Sequence, residues 1–229
     1  MSHHATATAA QRTDLLHRML LVRRLEEHRA IRTGDEAVAV GLLSALGPQD
    51  ALVAAGHGGA WRAVGAAAQL FGGDVTAAHN PAEAWETARA MARGGRRRIV
   101  AVCAPGPGPL AGVFAGLSAG PVPAAACLPV LFCRGDRLET PDCSPIATVL
   151  SVAGDDVEAV AGAVTTEIST LRVAAGPCLL GVRTPRPGHD PVALLAARMH
   201  TDHQLDDNAL RAIDRDAAAQ VEAVLRRHR

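Results

Sequence analysis

The chain has 229 residues, 48% hydrophobic and 20% charged, which is enough for one sizeable core and unlike a disordered composition. Its 23 basic and 23 acidic residues cancel, so no basic field gathers nucleic acid or an anionic membrane, and the expected partners are proteins or small molecules. All of the basic residues are arginine; without lysine there is no Schiff-base or pyridoxal-phosphate chemistry.

Residues 1–12 are polar and alanine-rich and are expected to form a flexible N-terminal arm, with 13–229 as a single domain. Thr13 and Asp14 read as the cap of a first helix, with Leu15, Met19 and Val22 on one stripe, Leu16, Leu20 and Leu25 widening it, and Arg23, Arg24, Glu26 and Glu27 on a charged face. A second helix is expected over 36–46, stopped by Gly47-Pro48. The apolar run 51–55 reads as a strand leading into Gly56-His57-Gly58-Gly59, and 61–71 as a helix. Asn80-Pro81 supplies a cap and a first-turn proline for a helix over 82–93, which Gly94-Gly95 ends.

Strands are expected at 98–103, 128–133, 147–152 and 178–182. Between them lie a small-residue helix at 110–119 and a helix over 156–171, capped by Asp155. Two closing helices span 191–199 and 206–227; the last has Leu210, Ile213, Ala217, Val221 and Val224 on one side, acids in its first turn and Arg226 and Arg227 in its last, complementing the macrodipole. Strands alternating with helices imply an α/β fold with a doubly wound, mainly parallel sheet flanked by helices.

The cysteines (Cys103, Cys127, Cys133, Cys143 and Cys178) form no Cys-x-x-Cys pair, and their spacing does not suit structural zinc. With no signal peptide and no apolar run long enough to span a bilayer, the expected location is the cytoplasm, with the thiols reduced and buried. Trp61 and Trp85 read as core or interface anchors.

Candidate chemistry collects at the ends of the expected strands. His57 follows the first strand, where open α/β sheets build their sites, and glycines beside it admit a ligand; the alternative is a capping or turn role. Cys103 and Cys133 also end strands, so a thiol with His57 as base would make a nucleophilic pair. His189, near Arg183 and Arg186, offers an anion-binding or acyl-carrier site, against a solvated linker before Asp190-Pro191.

Four segments carry a resemblance to a known family. They are the opening helix, Leu15-Leu16-His17-Arg18-Met19-Leu20-Leu21-Val22-Arg23-Arg24-Leu25-Glu26-Glu27; Gly34-Asp35-Glu36-Ala37-Val38-Ala39-Val40-Gly41; Gly154-Asp155-Asp156-Val157-Glu158-Ala159-Val160; and the stretch from Ala175-Gly176-Pro177-Cys178 through Arg183, Gly188-His189 and Asp190-Pro191. In this order they resemble the alpha subunit of the thiamine-diphosphate-dependent decarboxylating component of 2-oxo acid dehydrogenase complexes, the pyruvate and branched-chain dehydrogenase family. The resemblance runs from about Leu15 to the C-terminus, in a chain shorter than family members. It implies a shortened thiamine-diphosphate-binding fold and a beta-like partner in a heterodimer or heterotetramer. It also implies 2-oxo acid decarboxylation or acyl transfer, with an acyl carrier protein or domain as a further partner.

The departures fall where the cofactor would lie. Where the family has Gly-Asp-Gly, this chain reads Ala104-Pro105-Gly106-Pro107-Gly108-Pro109, and around Arg134-Gly135-Asp136 it lacks the usual Asn-Asn. Magnesium needs hard oxygen ligands, and alternate prolines remove the N–H groups of a phosphate cradle. By resemblance Gly106, Gly108 and Arg134 mark a degenerate cofactor site and His189 matches the family's catalytic-loop histidine; His57, from its place after the first strand, is the other catalytic candidate, and no metal ligand is assigned. The thiamine diphosphate and magnesium site is therefore incomplete on this chain. The alternative is a non-catalytic pseudoenzyme that serves as a dimerisation scaffold or regulator.

Overall fold

The first helix, α1 (Ala9–His28), starts earlier than Thr13 and Asp14 suggest. Thr8 Oγ1 accepts from Gln11 N–H, while Gln11 Oε1 accepts from Thr8 N–H at 2.8 Å, a reciprocal box that satisfies two orphan donors. Thr13 lies inside the helix instead, its hydroxyl donating to the Ala9 carbonyl. Residues 9–12 thus leave the expected arm, and Arg12 is buried. The computed structural model describes residues 7–29, 34–55, 59–72, 74–93, 99–105, 130–134, 148–173, 178–183 and 188–227.

The remaining described elements are, in chain order, α2 (Glu36–Ala45), β1 (Ala51–Ala55), α3 (Gly59–Phe71), β2 (Asp74–Ala78), α4 (Pro81–Arg93), β3 (Val100–Pro105), β4 (Val130–Arg134), β5 (Thr148–Ala153), α5 (Val157–Val173), β6 (Cys178–Arg183), α6 (Pro191–Thr201) and α7 (Asp207–Arg227). The strand β2 has no counterpart in the sequence reading, because Asp-Val-Thr-Ala-Ala is short and weakly apolar, as an edge strand tolerates. At the start of α4, Asn80 Oδ1 accepts from Glu83 N–H, the expected cap, and Glu83 Oε2 accepts from His79 N–H, one residue before it. The expected helix at 110–119 lies outside the described residues.

The six strands among the described residues form one sheet in the order β2-β1-β3-β4-β6-β5, and every neighbouring pair is parallel. The fold is therefore α/β with a parallel sheet flanked by helices. Every residue of β1 is buried, which is the continuous apolar pattern of a strand covered on both faces. Right-handed crossovers place α3, which steps outward from β1 to β2, and α4, which returns past β1 to β3, on opposite faces of the sheet.

On the α3 side, α2 packs against both α3 and α5, and α1 lies over α2, α3, α6 and α7. The crossing of α2 and α5 is set by Gly41: a Cβ there would stand 2.7 Å from Val160 Cγ1 and 3.1 Å from the Ala161 backbone nitrogen. The residues Glu36 to Leu42 are buried without interruption, so α2 is an internal helix rather than an amphipathic surface one.

Arginines paired with carboxylates tie this layer together. Arg23, expected on a charged face, is 12% exposed; its Nε donates to Glu36 Oε1 at 2.9 Å and its two terminal nitrogens to both Asp190 oxygens at 3.0 and 2.7 Å. Arg12 donates to Glu158 at 2.8 Å, to Gln204 at 3.2 Å and to Asp202. Arg198 reaches Asp156 at 2.6 Å and Glu158 at 3.4 Å. These pairs join α1, α2, α5 and α6, elements far apart in sequence.

Candidate functional site

Because all six strands are parallel, their carboxyl ends share one edge of the sheet. The connections from β1 and β3 leave in opposite directions, so these adjacent strands form a topological switch point, the position at which open α/β sheets hold ligands. Ala54 pairs with Cys103 in the register, and the chain leaves β1 at Ala55 and β3 at Pro105. His57, Gly106 and Gly108 follow those two strand ends in sequence and lie outside the described residues.

Both strands that carry the thiols run further than expected. β3 continues through Ala104 to Pro105, and β4 through Cys133 to Arg134, so Cys103 and Cys133 sit one residue or more inside strands rather than at their ends. They are not register partners: Cys103 pairs with Phe132 and Cys133 with Ala104. Arg134 is the last residue of β4, opposite Pro105 of β3 and Val182 of β6, and so it stands at the carboxyl edge.

His189 is brought to the same edge by a different route. The turn after β5 is pinned to the end of β6 by a hydrogen bond from Gly154 N–H to the Arg183 carbonyl at 3.0 Å. The approach requires glycine, since a Cβ at position 154 would lie 2.5 Å from that carbonyl oxygen and 2.9 Å from Val182 Cγ1. Asp155, next in the turn, accepts from His189 Nδ1 at 2.9 Å; its side chain is 14% exposed and that of His189 48%. Asp155 is thus not the helix cap; Asp156 fills that place and accepts from Ala159 N–H at 3.0 Å. Gly188, just before His189, has φ +83°, a conformation that glycine adopts without strain.

His57 follows β1 and His189 follows β6 in sequence, and these strands stand three positions apart in the sheet, about 14 Å at about 4.8 Å per strand.

The described carboxylates at this edge are engaged. Asp155 pairs with His189. Burial alone would raise the Asp156 pKa, but the Arg198 hydrogen bond, the Ala159 amide and the Arg198 charge bring it below the ordinary carboxylate value. The same balance holds at Asp190: desolvation pushes up, while the Arg23 hydrogen bond, the Ala193 amide, the Arg23 charge and the Val192 amide bring it down. Arginine and proline, at the ends of β4 and β3, carry no side-chain oxygen to ligate a metal. Among the described residues no group of three His, Cys, Asp or Glu is placed to hold a metal ion.

A cavity of about 350 Å³ opens at the other edge, beside the amino end of β1, lined by Leu43, Leu46, Pro48, Asp50 and Leu52 among others. Asp50 is structural there. It accepts from the Gly47 and Ile99 amides at 2.8 and 3.0 Å and from Arg172 at 2.5 Å, which fastens the start of β1 to the residue before β3 and to α5. Sequence reading overlooked it, although a lone acid directly before an apolar run, after Gly-Pro, is the available signal.

No family model and no curated protein matches this sequence. Among the described residues, no helix is long and apolar enough to cross a membrane.

Proposed function

We propose that the chain is an alpha-like subunit of a heteromeric complex of the 2-oxo acid dehydrogenase type, a shortened thiamine-diphosphate-binding fold that works with a beta-like partner in 2-oxo acid decarboxylation or acyl transfer. One observation carries the reading: the four sequence segments that resemble that family meet as one packed unit. Arg23 of the opening helix bonds Glu36 of the second segment and Asp190 of the last, and Gly41 of the second packs on Val160 of the third. Residues that answer one another in space support descent from a common architecture better than four separate likenesses would.

The Pro-Gly stretch 104–109, which stands where the family has Gly-Asp-Gly, supports assigning this subunit no thiamine step of its own; fold alone transfers no reaction. The engaged carboxylates at the carboxyl edge favour, as the second reading, a pseudoenzyme that scaffolds or regulates its partner.

The test is co-expression with a beta-like subunit followed by size-exclusion chromatography and calorimetric titration of thiamine diphosphate with magnesium. A stable heteromer that binds the cofactor, with no binding by the isolated chain, is the expected result. A stable heteromer without binding selects the scaffold. A well-folded monomer that ignores the partner overturns both.

A further inference from the structure

We infer that Asp155 is a positioning residue that fixes the tautomer of His189, so that the imidazole presents Nε2 as a proton acceptor at the carboxyl edge of the sheet. A neutral imidazole has one donor and one acceptor nitrogen, and the partner of the first decides which is which. Here the partner is a carboxylate, which only accepts, at 2.9 Å from Nδ1; the proton of the neutral ring therefore resides on Nδ1 and the lone pair on Nε2.

The arrangement is built rather than incidental to a surface. Asp155 is mostly buried while His189 is half exposed, so the acid is the fixed member and the ring faces outward. The acid is held from behind by the turn that Gly154 locks onto the Arg183 carbonyl, an approach closed to any residue with a Cβ. The backbone that follows the ring is anchored at Asp190, whose carboxylate caps α6 through the Val192 and Ala193 amides and is clamped by Arg23. Two independent anchors thus flank the pair. The arrangement serves a ligand that offers a hydroxyl or thiol proton: Nε2 takes the proton, the ligand keeps the electron pair as alkoxide or thiolate, and the imidazolium is paired with Asp155.

This inference goes beyond the assignment to a heteromeric complex and does not rest on it. Its test is a long-range proton–nitrogen correlation spectrum of the ¹⁵N-labelled full chain at about pH 8, above the ordinary imidazole pKa of about 6.5, with His189→Gln identifying the signal. The expected pattern is a protonated Nδ1 and an unprotonated Nε2 for His189, lost in Asp155→Ala while the backbone amide spectrum is retained. A ring protonated on Nε2 or averaging between tautomers in the unaltered chain overturns the proposal, whether or not Asp155→Ala folds. An unchanged pattern in a folded Asp155→Ala overturns it too.

Discussion

The helical layer around α2 and the carboxyl edge of the sheet hold their charges in different ways. In the layer, guanidinium and carboxylate groups are taken from water and matched: Arg12 at 7% exposure with Glu158, and Arg23 at 12% with Glu36 at 3%. At the edge, the described charged groups are partly exposed, and the outward-facing imidazole of His189 is held by one carboxylate. The segments that carry the family resemblance supply Arg23, Glu36, Glu158 and Asp190 to the layer, whereas the stretch that departs from the family follows β3 in sequence. The difference teaches that a charge is matched pair by pair where helices pack face to face, and is left partly open to solvent where strands end.

The sharpest way to break this comparison is Arg23→Ala. Removing the guanidinium leaves the buried Glu36 carboxylate, whose Oε2 already lacks a hydrogen-bond partner among the described residues, without its counter-ion. Breaking a buried pair from one side costs about 3–5 kcal/mol, and partial exposure of Asp190 places this case near the lower end. Urea unfolding should show the midpoint falling with little change in slope. A loss under about 1 kcal/mol would mean that the layer is not held by its ion pairs.

Gly154→Ala tests the seam between the two regions. The new methyl meets a backbone carbonyl that cannot rotate away, so the turn after β5 must separate from the end of β6, at a cost of about 2–3 kcal/mol. The same displacement moves Asp155 from His189. Chemical denaturation reads the stability loss; unchanged stability would show that the turn is free to shift.

The smallest expected effect is acid sensitivity. Asp156 and Asp190 have folded-state pKa values below the ordinary carboxylate value, so each contributes stability that is present above the unfolded pKa of about 3.9 and is lost as pH falls through the lower, folded value. Unfolding midpoints should therefore decline below about pH 4, and less steeply in Asp156→Asn, which no longer gains a proton on unfolding. Identical slopes for the two proteins would remove Asp156 from the account. Solvent screening keeps the effect below that of Arg23→Ala.

Much of the element order was legible because it depends on local signals. Gly47-Pro48 closes α2 near its predicted end, the apolar run 51–55 is β1, and Asn80-Pro81 opens α4. The errors are just as local: Thr13 and Asp14 outweighed the Thr8–Gln11 box, and β2 had too little apolar character to register. The site was read less well. His189 and Asp155 both stand out in the sequence, the first as a catalytic or anion-binding candidate and the second as a helix cap, but not as a pair, because nothing in the sequence records that residues 34 positions apart meet.

By itself, then, the sequence determined the alternation of strands and helices, the absence of lysine chemistry, and the proline-rich stretch that departs from the resembled family. Each of these follows from side-chain type, period or backbone constraint within a few residues. Only the tertiary structure decided the strand order β2-β1-β3-β4-β6-β5, the burial of Arg12 and Arg23, and the pairing of Asp155 with His189. Those depend on which surfaces come together when the sheet and helices pack, since a charge is stable inside only where a distant part of the chain brings its partner.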